Sequence, residues 1–160
     1  MILPGTQDFE GRIGTTWDQI MTIYPSTYNY VTWVTKKDPA WNSTLDYIAK
    51  NGVLGEDGEG YVCLVPNVGV NPVGDVSGKW EKMTPLDLTG YTSEFKTLGL
   101  VLKDEEGVTL GGVKGTARIK MQPSQTEKAI VSKIHFALLL TDGEKNLYEY
   151  VEGGIKWKAQ

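Results

Sequence analysis

"KAIVSKIHFALLLTDGEKNLYEYVEGGIKWKAQ", Lys128 to Gln160, decides the fold class. Its apolar residues recur at every second position, the period of an extended strand with one buried face. Ile130, Ile134, Phe136, Leu138 and Leu140 share one face, with Ser132 the exception. Ala129, Val131, Lys133, His135, Ala137 and Leu139 form the other, less apolar face. "TDGEKN" (Thr141 to Asn146) reads as a hairpin turn, with Asp-Gly expected to supply the left-handed backbone. "LYEYV" returns as a strand. Gly153-Gly154 is expected to form a bulge, and "IKWKA" alternates again with Ile155 and Trp157 inward.

The same period extends upstream. "GYTSEFKTLGLVLKD" places Leu98, Leu100 and Leu102 on one face, and "GTARIKM" sets Ala117, Ile119 and Met121 against Arg118 and Lys120. "QPSQTEKA" reads as a loop or a single short turn. In the N-terminal "DFEGRIGTTWDQIMTIYP", Phe9, Ile13, Trp17, Ile20 and Ile23 are the core candidates of one or two further strands. Short strands at about ten-residue spacing with hairpin signals predict an antiparallel sandwich. The expected fold is therefore all-β.

Residues 26–83 are written differently. They are rich in loops and aromatics: Tyr28, Tyr30, Trp33, Trp41, Tyr47, Tyr61 and Trp80. "PAWNSTLDYIAKNG" predicts one short helix, capped near Asn42 or Ser43 and stopped at Gly52. "YVCLVP" predicts a strand. The division expected is a sandwich domain from residues 1–25 and 84–160, interrupted by a small aromatic-rich β module at 26–83.

Bulk composition narrows the function classes. The chain has 160 residues, 40% of them hydrophobic and 22% charged, and a net charge of −4. These values suit one folded domain with a small insert. The acidic balance argues against a nucleic-acid partner, which requires a local Lys/Arg surplus. One cysteine, Cys63, precludes an intrachain disulfide. The first residues lack the pattern of a secretory leader. The longest apolar run, Phe136 to Leu140, is too short to cross a bilayer, so no membrane insertion is expected.

No catalytic constellation emerges. His135 is the only histidine and sits mid-strand without a nucleophile motif. Cys63, between Val62 and Leu64, reads as a small buried hydrophobe. One histidine and one cysteine do not make the usual zinc set. The carboxylate clusters Glu56, Asp57, Glu59 and Asp104, Glu105, Glu106 lack calcium-loop spacing and sit beside turn glycines. "GGVKGTAR" is not a phosphate loop. No enzyme activity, metal or cofactor is expected. The aromatics Trp33, Trp41, Tyr61 and Trp80 are the candidate contact residues for a carbohydrate or a protein partner, because exposed indole and phenol faces stack on sugar rings. The competing reading is that a module of this size needs large aromatics for its own core, and that reading is favoured.

Two resemblances add to this. "RIGTTWDQIMTI" (Arg12 to Ile23), "PLDLTGYT" (Pro85 to Thr92), "GTARIKMQPSQTEKAI" and "LLLTDGEKNLYEYVEGGIKW" occur in an order that resembles the N-terminal domains of bacteriophage baseplate upper proteins and tail-fibre adaptors. Leu88, Thr89 and Gly90 match the strand opening of that family. Gly154, Ile155 and Trp157 match its closing strand. The match covers roughly residues 1–25 and 84–158 and implies an immunoglobulin-like β-sandwich. Within the insert, Tyr61, Gly69, Pro72, Trp80 and Glu81 resemble aromatic modules of tail fibres and small chitin-binding proteins, although the usual Tyr-x-x-Gly-Asp step is replaced by "DYIAKNGVLGEDGEG". The resemblance implies a structural virion protein of a tail or baseplate. It would fold in the host cytoplasm, dock onto neighbouring tail or baseplate subunits as a homo-oligomer and support a receptor-binding fibre. The alternative is a carbohydrate-binding module that attaches to a cell-surface glycan.

Overall fold

The computed structural model describes residues 7–28, 30–33 and 40–160. Fourteen strands are assigned among them: β1 Gln7–Arg12, β2 Trp17–Thr22, β3 Thr32–Trp33, β4 Asp46–Tyr47, β5 Asn51–Leu54, β6 Gly60–Cys63, β7 Asn67–Val68, β8 Trp80–Lys82, β9 Thr92–Thr97, β10 Leu100–Asp104, β11 Gly107–Leu110, β12 Thr116–Met121, β13 Lys133–Thr141 and β14 Leu147–Lys158. One helical turn, α1 Pro123–Thr126, follows β12. The fold is all-β. Among the described residues no helix is long and apolar enough to cross a membrane.

Eight strands form one sheet in the order β1-β14-β13-β9-β10-β11-β12-β2. The chain's first two strands thus lie at the two ends of a sheet that curls back on itself, nearly a barrel. The hydrogen-bond ladder runs through all eight strands. β10 passes into β11 through a tight bend at Glu105 and Glu106, with Glu105 at φ 64°. That bend turns the sheet without breaking it. β3, β5, β6 and β8 form a second, small sheet, and β4 pairs with β7.

The alternation has the expected physical effect in the large sheet. Phe136, Leu138 and Leu140 of β13 are fully buried, as are Ile155 and Trp157 of β14 and Ala117, Ile119 and Met121 of β12. With Trp17, Met21, Phe95, Leu102 and Val108 they form one core. Trp17 stacks on Phe95 at 6.1 Å and meets Phe9 edge-on at 5.5 Å. Gly11 is glycine because a Cβ there would sit 2.6 Å from the Trp157 ring and 3.0 Å from Trp17. A side chain at 11 would force the two indoles apart.

Five local expectations are corrected. Ile20 is 61% exposed, because β2 directs Trp17 and Met21 inward and its even positions outward. Ile130 is 67% exposed, because β13 starts only at Lys133 and its alternation does not reach back that far. Leu98 lies in the β9–β10 turn at φ 54° rather than on a strand, and packs from there against the same core as Leu100 and Leu102. No bulge occurs at Gly153-Gly154. β14 runs through them, pairing with β13 and with β1, and the register shift falls at Leu140/Thr141. In the following turn the left-handed residue is Lys145, φ 64°, while Asp142 accepts hydrogen bonds from the Glu144 and Asn146 amides.

The predicted helix after Ala40 is absent. Asn42 Oδ1 instead accepts from the Thr44 amide and hydroxyl, making an Asx turn that competes with helix initiation. Tyr47 is buried while Leu45 and Ile48 face solvent, so the segment has no helical apolar stripe to bury.

Candidate functional site

The smaller sheets make a lobe between β2 and β9. Its central strand β6 is buried along its length and sends side chains to both faces. Tyr61 and Cys63 join Tyr47, Val53 and Trp80, with Trp41, Val70 and Val73 packed around them. Val62 points the other way, onto Tyr24 and Met83, with Tyr28, Val31 and Trp33 alongside.

This placement decides what the four candidate aromatics do. Trp80 and Tyr61 are each 6% exposed and belong to the lobe's interior. Trp80 meets Tyr47 edge-on at 5.2 Å, and its Nε1–H donates to the Val70 carbonyl at 2.9 Å. Tyr61 donates its hydroxyl proton to Asp57 Oδ2 at 2.7 Å. Burial and the adjoining Asp57 carboxylate push the Tyr61 phenol up to about 12. Trp41 is half-buried against the Tyr61 face and Trp33 half-buried against the Val62 face. The structure therefore does not bring the four rings onto one exposed platform.

Side-chain carboxylates organise the lobe's loops: Asp57, read from sequence only as part of a turn cluster, and Asp75, which the sequence reading did not single out. Asp75 accepts from the Ser77 amide and hydroxyl through Oδ1 and from the Lys79 and Trp80 amides through Oδ2. The Ser77 hydroxyl and amide hold the Asp75 carboxyl below the usual carboxylate range. At Asp57 desolvation acts upward, but the Tyr61 hydroxyl and Glu59 amide outweigh it and the carboxyl is lowered. The signal was the spacing Asp-x-Ser-x-Lys-Trp, an Asp able to cap amides two, four and five residues on. Among the described residues, no group of three or more His, Cys, Asp or Glu is arranged to hold a metal ion. His135 stands exposed on β13, with Nε2 3.1 Å from Glu152. Cys63 is buried, with Sγ 3.2 Å from the Val65 carbonyl. Burial pushes its thiol up, which disfavours the nucleophilic thiolate.

Two surface features remain. The first is a cleft of about 550 Å³ where the lobe meets the large sheet, lined by Thr22, Glu59, Lys82, Met83, Pro85 and Lys114 among others. Beside it Met83 N donates to Gly60 O, extending the β6–β8 ladder, and Leu86 N donates to Ile23 O, both at 2.8 Å. Gly60 is glycine because a Cβ would strike the Tyr24 hydroxyl and lie 2.7 Å from Met83 Cε. Burial pushes the Tyr24 phenol up to about 12.

The second is a groove of about 380 Å³ between β1 and β2, lined by Glu10, Gly11, Arg12, Thr15 to Gln19 and Lys158. Here the sheet does not close by backbone pairing. The Trp17 side chain reaches across instead, its Nε1–H donating to the Glu10 carbonyl at 3.0 Å.

No family model matches the chain, and no curated protein matches it.

Proposed function

We propose that the chain is a structural component of a phage tail or baseplate that docks onto neighbouring subunits and supports a receptor-binding fibre. The observation that carries this reading is the division of labour in the fold. A curled sheet with long ladders has two strands, β1 and β2, unpaired with each other, and a short-stranded lobe is presented between β2 and β9. A sheet whose end strands are not paired with each other, carrying a short-stranded lobe, suits a part that is built into an assembly. In this reading the curled sheet is an immunoglobulin-like sandwich whose layers stay joined at their margins. The sequence order of the Leu88-Thr89-Gly90 opening and the Gly154, Ile155, Trp157 closing strand supports it. A mass-spectrometric inventory of purified phage particles tests the proposal. The chain is expected among the tail proteins, and its absence from every particle would overturn the reading.

Carbohydrate binding by the lobe is the second reading. It rests on Trp33 and Trp41, the two half-buried indoles, which lie on opposite faces of the small sheet. Retention on chitin or a glycan array that is lost in Trp41→Ala or Trp33→Ala would favour it over the structural role.

A further inference from the structure

Asn51-Gly52, at the start of β5, is the one place in the chain where asparagine precedes glycine. The other asparagines precede Tyr, Ser, Val, Pro or Leu. The pair is chemically fragile. Glycine has no Cβ to shield its amide and adopts backbone angles closed to other residues. Its nitrogen therefore reaches the preceding carboxamide carbon more readily than that of any bulkier residue.

The fold nevertheless requires both residues. Asn51 Oδ1 accepts from the Ile48 amide at 2.9 Å, and the Asn51 amide donates to the Ile48 carbonyl at 3.1 Å. This reciprocal pair closes the turn in which Lys50 holds φ 77°. A Cβ at Gly52 would lie 2.5 Å from Val31 Cγ1 and 3.2 Å from the Trp33 ring, so glycine is what lets those side chains lie against β5.

The strand that needs the pair also restrains it. Gly52 is buried, opposite Val62 of β6 on one side and Trp33 of β3 on the other. Thr32 N donates to the Lys50 carbonyl at 2.9 Å. In a parallel pair the next bond of that ladder runs from the Gly52 amide to the Thr32 carbonyl. The nitrogen that would attack is thus engaged with β3, and the extended backbone holds it out of ring-forming geometry.

We propose that Asn51 is a covalent modification site, deamidated when the lobe opens at β5. The Gly52 nitrogen bonds to Asn51 Cγ and the Cγ–Nδ2 bond breaks. The Gly52 amide proton leaves with the side-chain nitrogen as ammonia. Water then opens the succinimide at either carbonyl, giving aspartate or isoaspartate. Aspartate keeps an oxygen for the Ile48 amide. Isoaspartate routes the main chain through Cβ, and the added backbone atom takes β5 out of register with β3 and β6. The change is one-way, so the lobe keeps a chemical record of having opened. The site is independent of the part the protein plays in a virion.

Peptide mapping by mass spectrometry, on full chain aged in mildly alkaline buffer, tests the proposal in three samples: native wild type, wild type in urea, and Trp80→Ala. In urea Asn51 is expected to convert before any other asparagine. In the native wild type its conversion is expected to be more than about tenfold slower, the factor set by an opening that costs about 1.4 kcal/mol. Trp80→Ala, which loosens the lobe, is expected to recover most of the urea rate. Equal rates at Asn51 in the native and urea samples would overturn the strand as the gate. An Asn51 that survives in Trp80→Ala while the exposed Asn42 converts would overturn the site. Isoaspartate-containing chain is expected to lose the amide exchange protection of β5 that Asn51→Asp retains, and equal protection in the two would overturn the one-way consequence.

Discussion

The large sheet and the lobe solve the same problem, satisfying backbone polar groups around apolar side chains, by different means. The large sheet uses length. β13 and β14 run for nine and twelve residues, and the core they cover is continuous from Trp17 to Trp157. The lobe's strands are two to four residues long, so ladders alone leave most of its loop amides unpaired. Side-chain oxygens of Asp57, Asp75, Asn42 and Asn71 take those amides instead. The lesson is that period-2 patterning identifies ladder-built regions, whereas a short-stranded module is held by aromatics and side-chain caps.

The contrast breaks first at the core of the large sheet. Phe136→Ala is expected to cost about 3–5 kcal/mol in urea unfolding and to lower the stability of the whole chain. A loss confined to the lobe would contradict a single continuous core. Trp80→Ala comes next, at about 3 kcal/mol or more for the lobe. Hydrogen exchange should speed up in β5, β6 and β8 while β13 and β14 keep their protection. Equal loss of protection in both regions would show that the lobe and sheet unfold as one unit.

Acid should separate the regions further. The folded-state values of Asp57 and Asp75 are lowered, so the stability they contribute is present above the ordinary carboxylate value. It is lost as pH falls through that value towards the folded ones. The Trp80 environment, followed by fluorescence, is expected to change in that window, and Asp75→Asn should flatten the pH dependence. An unaltered profile in Asp75→Asn would remove Asp75 as the loop's organiser. Smaller still is Tyr61→Phe, which deletes the hydroxyl donor to Asp57 and is expected to cost about 1 kcal/mol. The smallest effect belongs to the exposed Asp18–Arg118 pair on the large sheet, where Arg118→Ala should leave the unfolding midpoint unchanged within error.

The candidate residues were legible unevenly. Tyr61 and Trp80 read from sequence as core first and contact second, and the structure buries both. Trp33 and Trp41 had the same signature, yet they sit half-buried on opposite faces, because β6 sends successive residues to opposite sides. Ile20 read as core because Trp17, Ile20 and Ile23 are each apolar. Their spacing of three cannot all point inward on a strand. The Asp75 turn was overlooked because its oxygens act on amides several residues away, and hydropathy carries no trace of that.

By itself the sequence determined the all-β class, the alternating faces of β12 and β13, and the burial of Cys63 and Trp157, because these follow from local periodicity and side-chain chemistry. Tertiary structure alone decided that the long sheet curls until β1 and β2 lie beside one another without pairing. It also decided that β14 keeps its register through its two glycines, and that Ile20 faces outward. Those outcomes depend on which strands meet and in what register, and register is set by contacts between residues far apart in the chain.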